Sequence, residues 1–301
     1  MMSPDLNGNV GFVSQLVVNG IVAGATYGLV GLGFSLIYST TRVFHLAHGA
    51  VYLAGAYAFY ALLRLANLPP VLVVSLVITI TALFGLLLEL SVYRRLRERH
   101  ATPRVILIAS LGVLIATQNL VSLIFGSDTK VLSSPSQLND VFIINVRLSS
   151  VQTNIIITNI VLGLSVWLFL RFSSFGRNIR ATIDDPELTH IVGLPSRRIS
   201  IIVFAFGSGL AGIAAMLVGF YTDLTPTVGF EIVLMGIVAG IVGGPGNPIG
   251  AIWGGFLVGL IQHLSVILVF TKWQRTIVFI VLIAFLILRP QGITGRPVKT
   301  T

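Results

Sequence analysis

Few residues in this chain have the types and spacing that could do chemistry. His45 and His48 stand three apart in RVFHLAHGA and can share one face of a helix. Two imidazoles at that spacing are half of a transition-metal site. No carboxylate or third histidine is near in sequence, so a helix-entry or pathway role fits the pair better than a metal. His100, His190 and His263 are isolated, with His190 placed on a loop helix. Glu89, Asp223 and Glu231 fall near the ends of apolar runs; Asp5, Glu98, Asp128, Asp140, Asp184, Asp185 and Glu187 fall in loops or tails. Nothing forms the central carboxylate relay of a proton- or sodium-coupled transporter. H-E-x-x-H, G-x-S-x-G and G-x-x-x-x-G-K-[ST] are all missing, and with them the zinc-protease, serine-hydrolase and phosphate-loop chemistries. There is no cysteine, which excludes disulfides and thiolate sites. The chain is read as non-catalytic, with no metal or cofactor of its own.

One polar stretch does stand out: RNIRATIDDPELTHIVGLPSRRIS, residues 177–200. Asp185 is a good N-cap, Pro186 suits the first helical position, and Glu187 places negative charge in the first turn. Gly193 can take the left-handed conformation that closes a helix before Leu194, and Pro195 blocks continuation. The pattern predicts a helix over PELTHIV of about two turns, too short to be stable alone in water. It needs a docking surface: the protein's own membrane face, or a cytoplasmic subunit into which the helix inserts as a lever.

The elements that must position these residues are membrane helices. The 301 residues are 55% hydrophobic and 10% charged, with mean hydropathy +0.95, too apolar for a soluble domain. Spans are expected near 13–38, 48–66, 70–92, 105–125, 154–171, 199–221, 249–270 and 276–288. A further short piece at 232–242, running into Gly243-Gly244-Pro245-Gly246-Asn247-Pro248, reads as a half-helix turning inside the protein. The expected architecture is an all-α polytopic bundle of about 8–9 helices in one domain, 1–301. Segments 39–47, 94–104, 171–198 and 289–301 hold 14 of the 19 lysines and arginines. Excess basic residues mark the cytoplasmic side, so the N-terminus is placed outside, the C-terminus inside, and the coupling loop 172–198 in the cytoplasm. The charge of +9 is then a topology signal rather than a nucleic-acid footprint. MMSPDLNGNV lacks a basic flank, so the first span is expected to be retained. Loop 126–153 is external, with VFIINVRLSS a short surface strand. Gly20, Gly24 and Gly28, then Gly236 and Gly240, then Gly250 and Gly254, recur every four residues and predict close helix packing.

A multi-span protein with no ion relay is either a passive pore or driven by a partner. Asn19, Tyr27, Tyr38, His45 and His48 are candidate pathway residues, since a polar group among apolar neighbours must find a partner; fixing helix packing is the alternative.

Three blocks resemble the membrane permease of the branched-chain amino-acid ABC importers: NGIVAGATYGLVGLGFSLIYSTTRVFHLAHGAVYLAGAY at 19–57, GRNIRATIDDPELTHIVGLPSRRISIIVFAFGSGLAGIAAML at 176–217, and GIVGGPGNPIGAIWGGFLVG at 240–259 followed by LRPQGITGRP at 288–297. His45-Leu46 replaces the family's usual Asn-Phe, and Thr189 a usual alanine. The resemblance implies pairing with a second homologous permease and two cytoplasmic ATPase subunits that hold ATP and Mg. It also implies an external solute-binding protein and a bacterial inner-membrane location. Residues 184–194, with Asp184, Asp185, Pro186, Glu187, His190, Gly193 and Leu194, would couple to the ATPases. Permeases for urea, short amides or sugars are the nearest alternative, and a self-sufficient channel or secondary transporter the next.

Overall fold

Backbone amides have no partner in lipid except one another, so long apolar runs close into helices. The computed structural model describes residues 6–66, 68–132, 141–143, 146–220 and 222–295, with the backbone alone at 6–10, 65, 141–143, 146, 187 and 190. Its helices are α1 (Leu6–Thr41), α2 (His48–Tyr60), α3 (Pro70–Leu88), α4 (Arg94–Glu98), α5 (Pro103–Phe125), α6 (Ser150–Phe172), α7 (Ser174–Asp184), α8 (Pro186–Ile191), α9 (Ser196–Gly219), α10 (Val228–Gly243), α11 (Gly250–Leu264) and α12 (Gln274–Leu288). Five-residue π-turns follow α2 at Ala61–Leu65 and α3 at Glu89–Tyr93. Among the described residues, seven helical stretches are long and apolar enough to cross a membrane; α10, of 16 residues, is a shorter apolar helix, and α2, of 13, runs on into the π-turn Ala61–Leu65. The protein is an all-α, multi-pass membrane bundle.

Several boundaries differ from those expected of the sequence. The piece at 232–242 is part of a 16-residue helix, because Val228–Glu231 continue its pattern outward. The run expected at 276–288 extends back to Thr271 through a 3₁₀ turn and reaches 18 residues. The surface strand is a hairpin: β1 (Val141–Ile143) pairs antiparallel with β2 (Val146–Leu148), which satisfies backbone groups that one strand would leave open. Residues 133–140, 144 and 145 of loop 126–153 lie outside the described residues, as do Asp5, Arg296 and Pro297. Helix α7 was not expected. Ser173 caps it by accepting from the Gly176 N–H at 2.8 Å, and it buries Ile179 and Thr182 while Arg177 and Arg180 stay exposed.

Helix α1 is the central mast. Its apolar window is 89% buried, against 6% for α12 at the rim. Gly20, Gly24 and Gly28 face α11, where an added Cβ on Gly24 would sit 2.7 Å from Phe256 Cα and one on Gly20 3.0 Å from Leu260 Cα. Gly236 and Gly240 face α1 at Gly31 and Ser35, so α10 runs parallel to α1. Gly254 abuts the Gly243 backbone, and Gly250 lies against Gly243 and Thr294.

Contacts sort the connections into two poles. At one, Arg42 Nη2 donates to Ile183 O at 3.3 Å, Arg97 reaches Ser200, and the C-terminal segment meets the end of α10. At the other, Lys130 and Leu224 form a bridge, Gln15 brackets the Arg147 backbone with bonds of 3.0 and 3.2 Å, and Arg275 pairs with Glu231 at 2.6 Å. Every basic segment singled out by its charge touches the first pole.

Candidate functional site

The segment Arg42–Ala47 re-enters the bundle. Helix α1 stops at Thr41, where Arg42 takes φ 57° and its N–H donates to Tyr38 O at 2.8 Å. The chain then turns back along α1, so that His48 lies beside Gly33. Eight residues of helix separate Gly33 from Thr41, a depth of about 12 Å. Non-helical backbone at that depth must be lined by protein. Val43, His45, Ala47 and His48 are accordingly all buried. Local bonds satisfy the turn: His48 N–H to His45 O at 3.1 Å and Gly49 N–H to Leu46 O at 3.0 Å.

Two polar clusters extend from the π-turn Glu89–Tyr93, one holding this segment and the other holding the start of α9. Tyr93 OH lies 2.7 Å from His45 Nδ1 and donates to Ser110 Oγ at 2.9 Å; Ser110 Oγ also accepts from the Ala47 N–H at 2.7 Å. At the other end of the turn, Glu89 is 2% exposed and accepts from Ser200 Oγ at 2.7 Å and from Arg97. At ~100° per residue, eight positions of α-helix put Glu89 and Arg97 about 80° apart. The wider π-turn takes up part of that offset. Sequence alone leaves Glu89 at a span end and gives no weight to Tyr93, Ser110, Arg97 or Ser200. Its one usable signal is a lone carboxylate inside an apolar run.

The pathway candidates do not form one cluster. His45 and His48 pack with ring centroids 5.5 Å apart. Tyr27 lies beside Gln262 of α11. Tyr38 stacks on Phe34 at 6.0 Å and meets Phe44 edge-on. Asn19 sits near the opposite pole, accepting from Gln15 at 3.3 Å and Gln152 at 3.4 Å. Among the described residues no group of three metal-ligating side chains exists.

Helix α8 is built as its residue types dictate. Asp185 Oδ1 accepts from the Leu188 N–H at 2.9 Å. Gly193 has φ +80° and the Leu194 N–H closes onto Thr189 O at 3.0 Å, a Schellman-type stop. Thr189, 5% exposed, turns inward, so this departure from the usual alanine is not on the outer face. Leu188, Ile191 and Val192 point outward at 54%, 81% and 69% exposure. The side chains of Glu187 and His190 lie outside the described residues. The two parts of the third motif block also meet: Ile293 and Thr294 N–H groups donate to Val242 O and Gly243 O, capping α10.

The family profile described as "Branched-chain amino acid transport system / permease component" matches residues 16–286. The high-affinity branched-chain amino acid transport system permease protein BraD of Pseudomonas aeruginosa is 32% identical, over 94% of this chain and 96% of its own. The corresponding permease protein LivH of Escherichia coli is 29% identical over the same shares. The autoinducer 2 import system permease protein LsrC of Salmonella paratyphi B is 32% identical over 36% of this chain and 34% of its own. No solved structure matches.

Proposed function

This chain belongs to the family of permease components of branched-chain amino-acid transport systems, and from that premise we propose that it is the membrane subunit of an ABC importer carrying branched-chain or other hydrophobic amino acids. It is non-catalytic. Two cytoplasmic ATPase subunits hold ATP and Mg, a second homologous permease completes the pore, and an external binding protein delivers solute. The observation that carries this reading is α8: a capped two-turn helix at the arginine-rich pole, outside the long apolar helices, with Leu188, Ile191 and Val192 exposed. An apolar patch on a charged loop is a docking surface.

The charge asymmetry supports a cytoplasmic position for that pole, with the N-terminus outside and the C-terminus inside, and the relatives support a bacterial inner membrane. Counting α2 and α10 as crossings beside the seven longer stretches gives nine, an odd number that puts the chain ends on opposite sides. The hairpin and loop 126–153 then face the binding protein. Residues 184–194 transmit ATPase closure, and the re-entrant segment with His45 and His48 lies at the pathway.

Proteoliposomes containing the subunit with its partners are expected to accumulate labelled leucine only with ATP and binding protein. The subunit alone is expected to accumulate none under an imposed proton or sodium gradient; accumulation there overturns the reading in favour of a secondary transporter. His45-Leu46 in place of Asn-Phe makes solute competition the informative second measurement, with urea, short amides and sugars as competitors.

A further inference from the structure

We propose that the π-turn Glu89–Tyr93 is a joint that carries movement of the loop helix α8 into the re-entrant segment Arg42–Ala47, with Glu89 and Tyr93 as its positioning residues. The inference rests on the importer reading above.

Helix α9 begins five residues after α8 ends, so a displaced α8 pulls on the α9 start through a short connection. Ser200, in the first turns of α9, donates to Glu89; Arg97 holds the same carboxylate and comes within 3.5 Å of Ser200. Above that clasp, α3 and α9 are packed without slack: Gly212 lies against the Thr81 side chain, and Gly85 against Ser208. Movement of the α9 start therefore has no compliant outlet along α3 except the underwound turn. A π-turn has a ready alternative: its Arg94 N–H, which donates to Glu89 O, can move to the i−4 carbonyl. That change rotates α4 by about 100° relative to α3. Tyr93 lies four residues beyond Glu89, and its hydroxyl holds His45 directly and Ala47 through Ser110. The turn thus has a polar grip at each end, and the second winding proposed for it is what a physical coupling claim requires. Packing alone gives no reason to bury a carboxylate there, since an ion pair replaced by apolar residues is often no less stable.

The chain has no cysteine, so in the full complex, with label counted on this subunit after it is separated by electrophoresis, a Leu46→Cys variant reports on the segment alone. Its thiol labelling rate is expected to change on adding ATP when Glu89 and Tyr93 are intact. It is expected to stop responding in Glu89→Gln, in Ser200→Ala and in Tyr93→Phe, which keeps the ring and removes the hydroxyl. Leucine uptake per ATP hydrolysed is expected to fall about tenfold, within the usual range of coupling energies, while co-purification with the ATPases is retained. The Glu89→Gln/Tyr93→Phe double variant should be no worse than either single, as residues acting through one chain are non-additive. Ser75→Ala on α3, outside the turn, whose hydroxyl bonds the Val71 carbonyl of its own helix, should leave both readouts unchanged. A Leu46→Cys rate that still responds to ATP in these variants, or additive losses in the double variant, overturns the joint. ATP-driven uptake by the unaltered complex, measured alongside, is the separate check on the importer reading.

Discussion

Asp185 and Gly193 do their work through backbone geometry, and their substitutions separate the shape of α8 from its surface. Asp185→Ala removes the oxygen that accepts from Leu188 N–H, at a cost of about 1 kcal/mol to a helix with little to spare. Gly193→Ala forces a Cβ into φ +80°, roughly another 1–2 kcal/mol. Nothing lies within 4 Å of that position, so the penalty is conformational and not steric. Both variants are expected to reach the membrane in normal amounts, seen by immunoblot, and to lose most ATP-driven uptake. Full uptake in both would remove α8 from the coupling role. These two residues were legible because caps and stops are written within a few positions of chain. His45 was legible only as an oddity: its partner Tyr93 is 48 positions away, and no local pattern links them.

At the scale of elements, spacing revealed faces but not their partners. Glycines four apart marked one side of α1; only the structure shows that side set against α11. Gly24→Val is expected to cost several kcal/mol, since its Cβ would meet backbone and not a movable side chain, and to lower the amount of folded protein in the membrane. Gly112→Ala on α5, where nothing lies within 4 Å, is expected to be neutral or to stabilise by up to about 1 kcal/mol through helix propensity. Thermal unfolding in detergent checks the pair, and similar losses at both sites would refute the packing argument. The π-turns were not legible, because the residues at 61–65 and 89–93, apolar apart from Arg64, Glu89 and Ser91, suit α-helical and π-helical winding equally well. Helix α7 was missed because Gly176 and two exposed arginines read locally as loop.

For the whole molecule, composition fixed the class and the distribution of arginines separated the two ends before any coordinates. The structure adds that Arg42 reaches the 171–198 loop at Ile183 and that Arg97 reaches Ser200, two residues beyond that loop. Single cysteines introduced at Arg198 and at Lys130 are expected to react with a membrane-impermeant thiol reagent from opposite sides, Lys130→Cys in intact cells and Arg198→Cys only after lysis. Labelling of both in intact cells would refute the assigned orientation. The depth of the re-entrant segment could not be read, because it depends on where α2 starts relative to α1 and not on the hydropathy of either.

Because the mast is made long before α11, its biogenesis is out of step with its place in the finished bundle. The face carrying Gly20, Gly24 and Gly28 has to wait for α11, more than 200 residues later. At ordinary rates of translation that is roughly 10–40 s. Throughout that interval the nascent chain holds its most buried helix without its final neighbour. Chains that terminate before residue 250 should therefore be recognised and degraded by membrane quality control, however well their earlier helices have inserted.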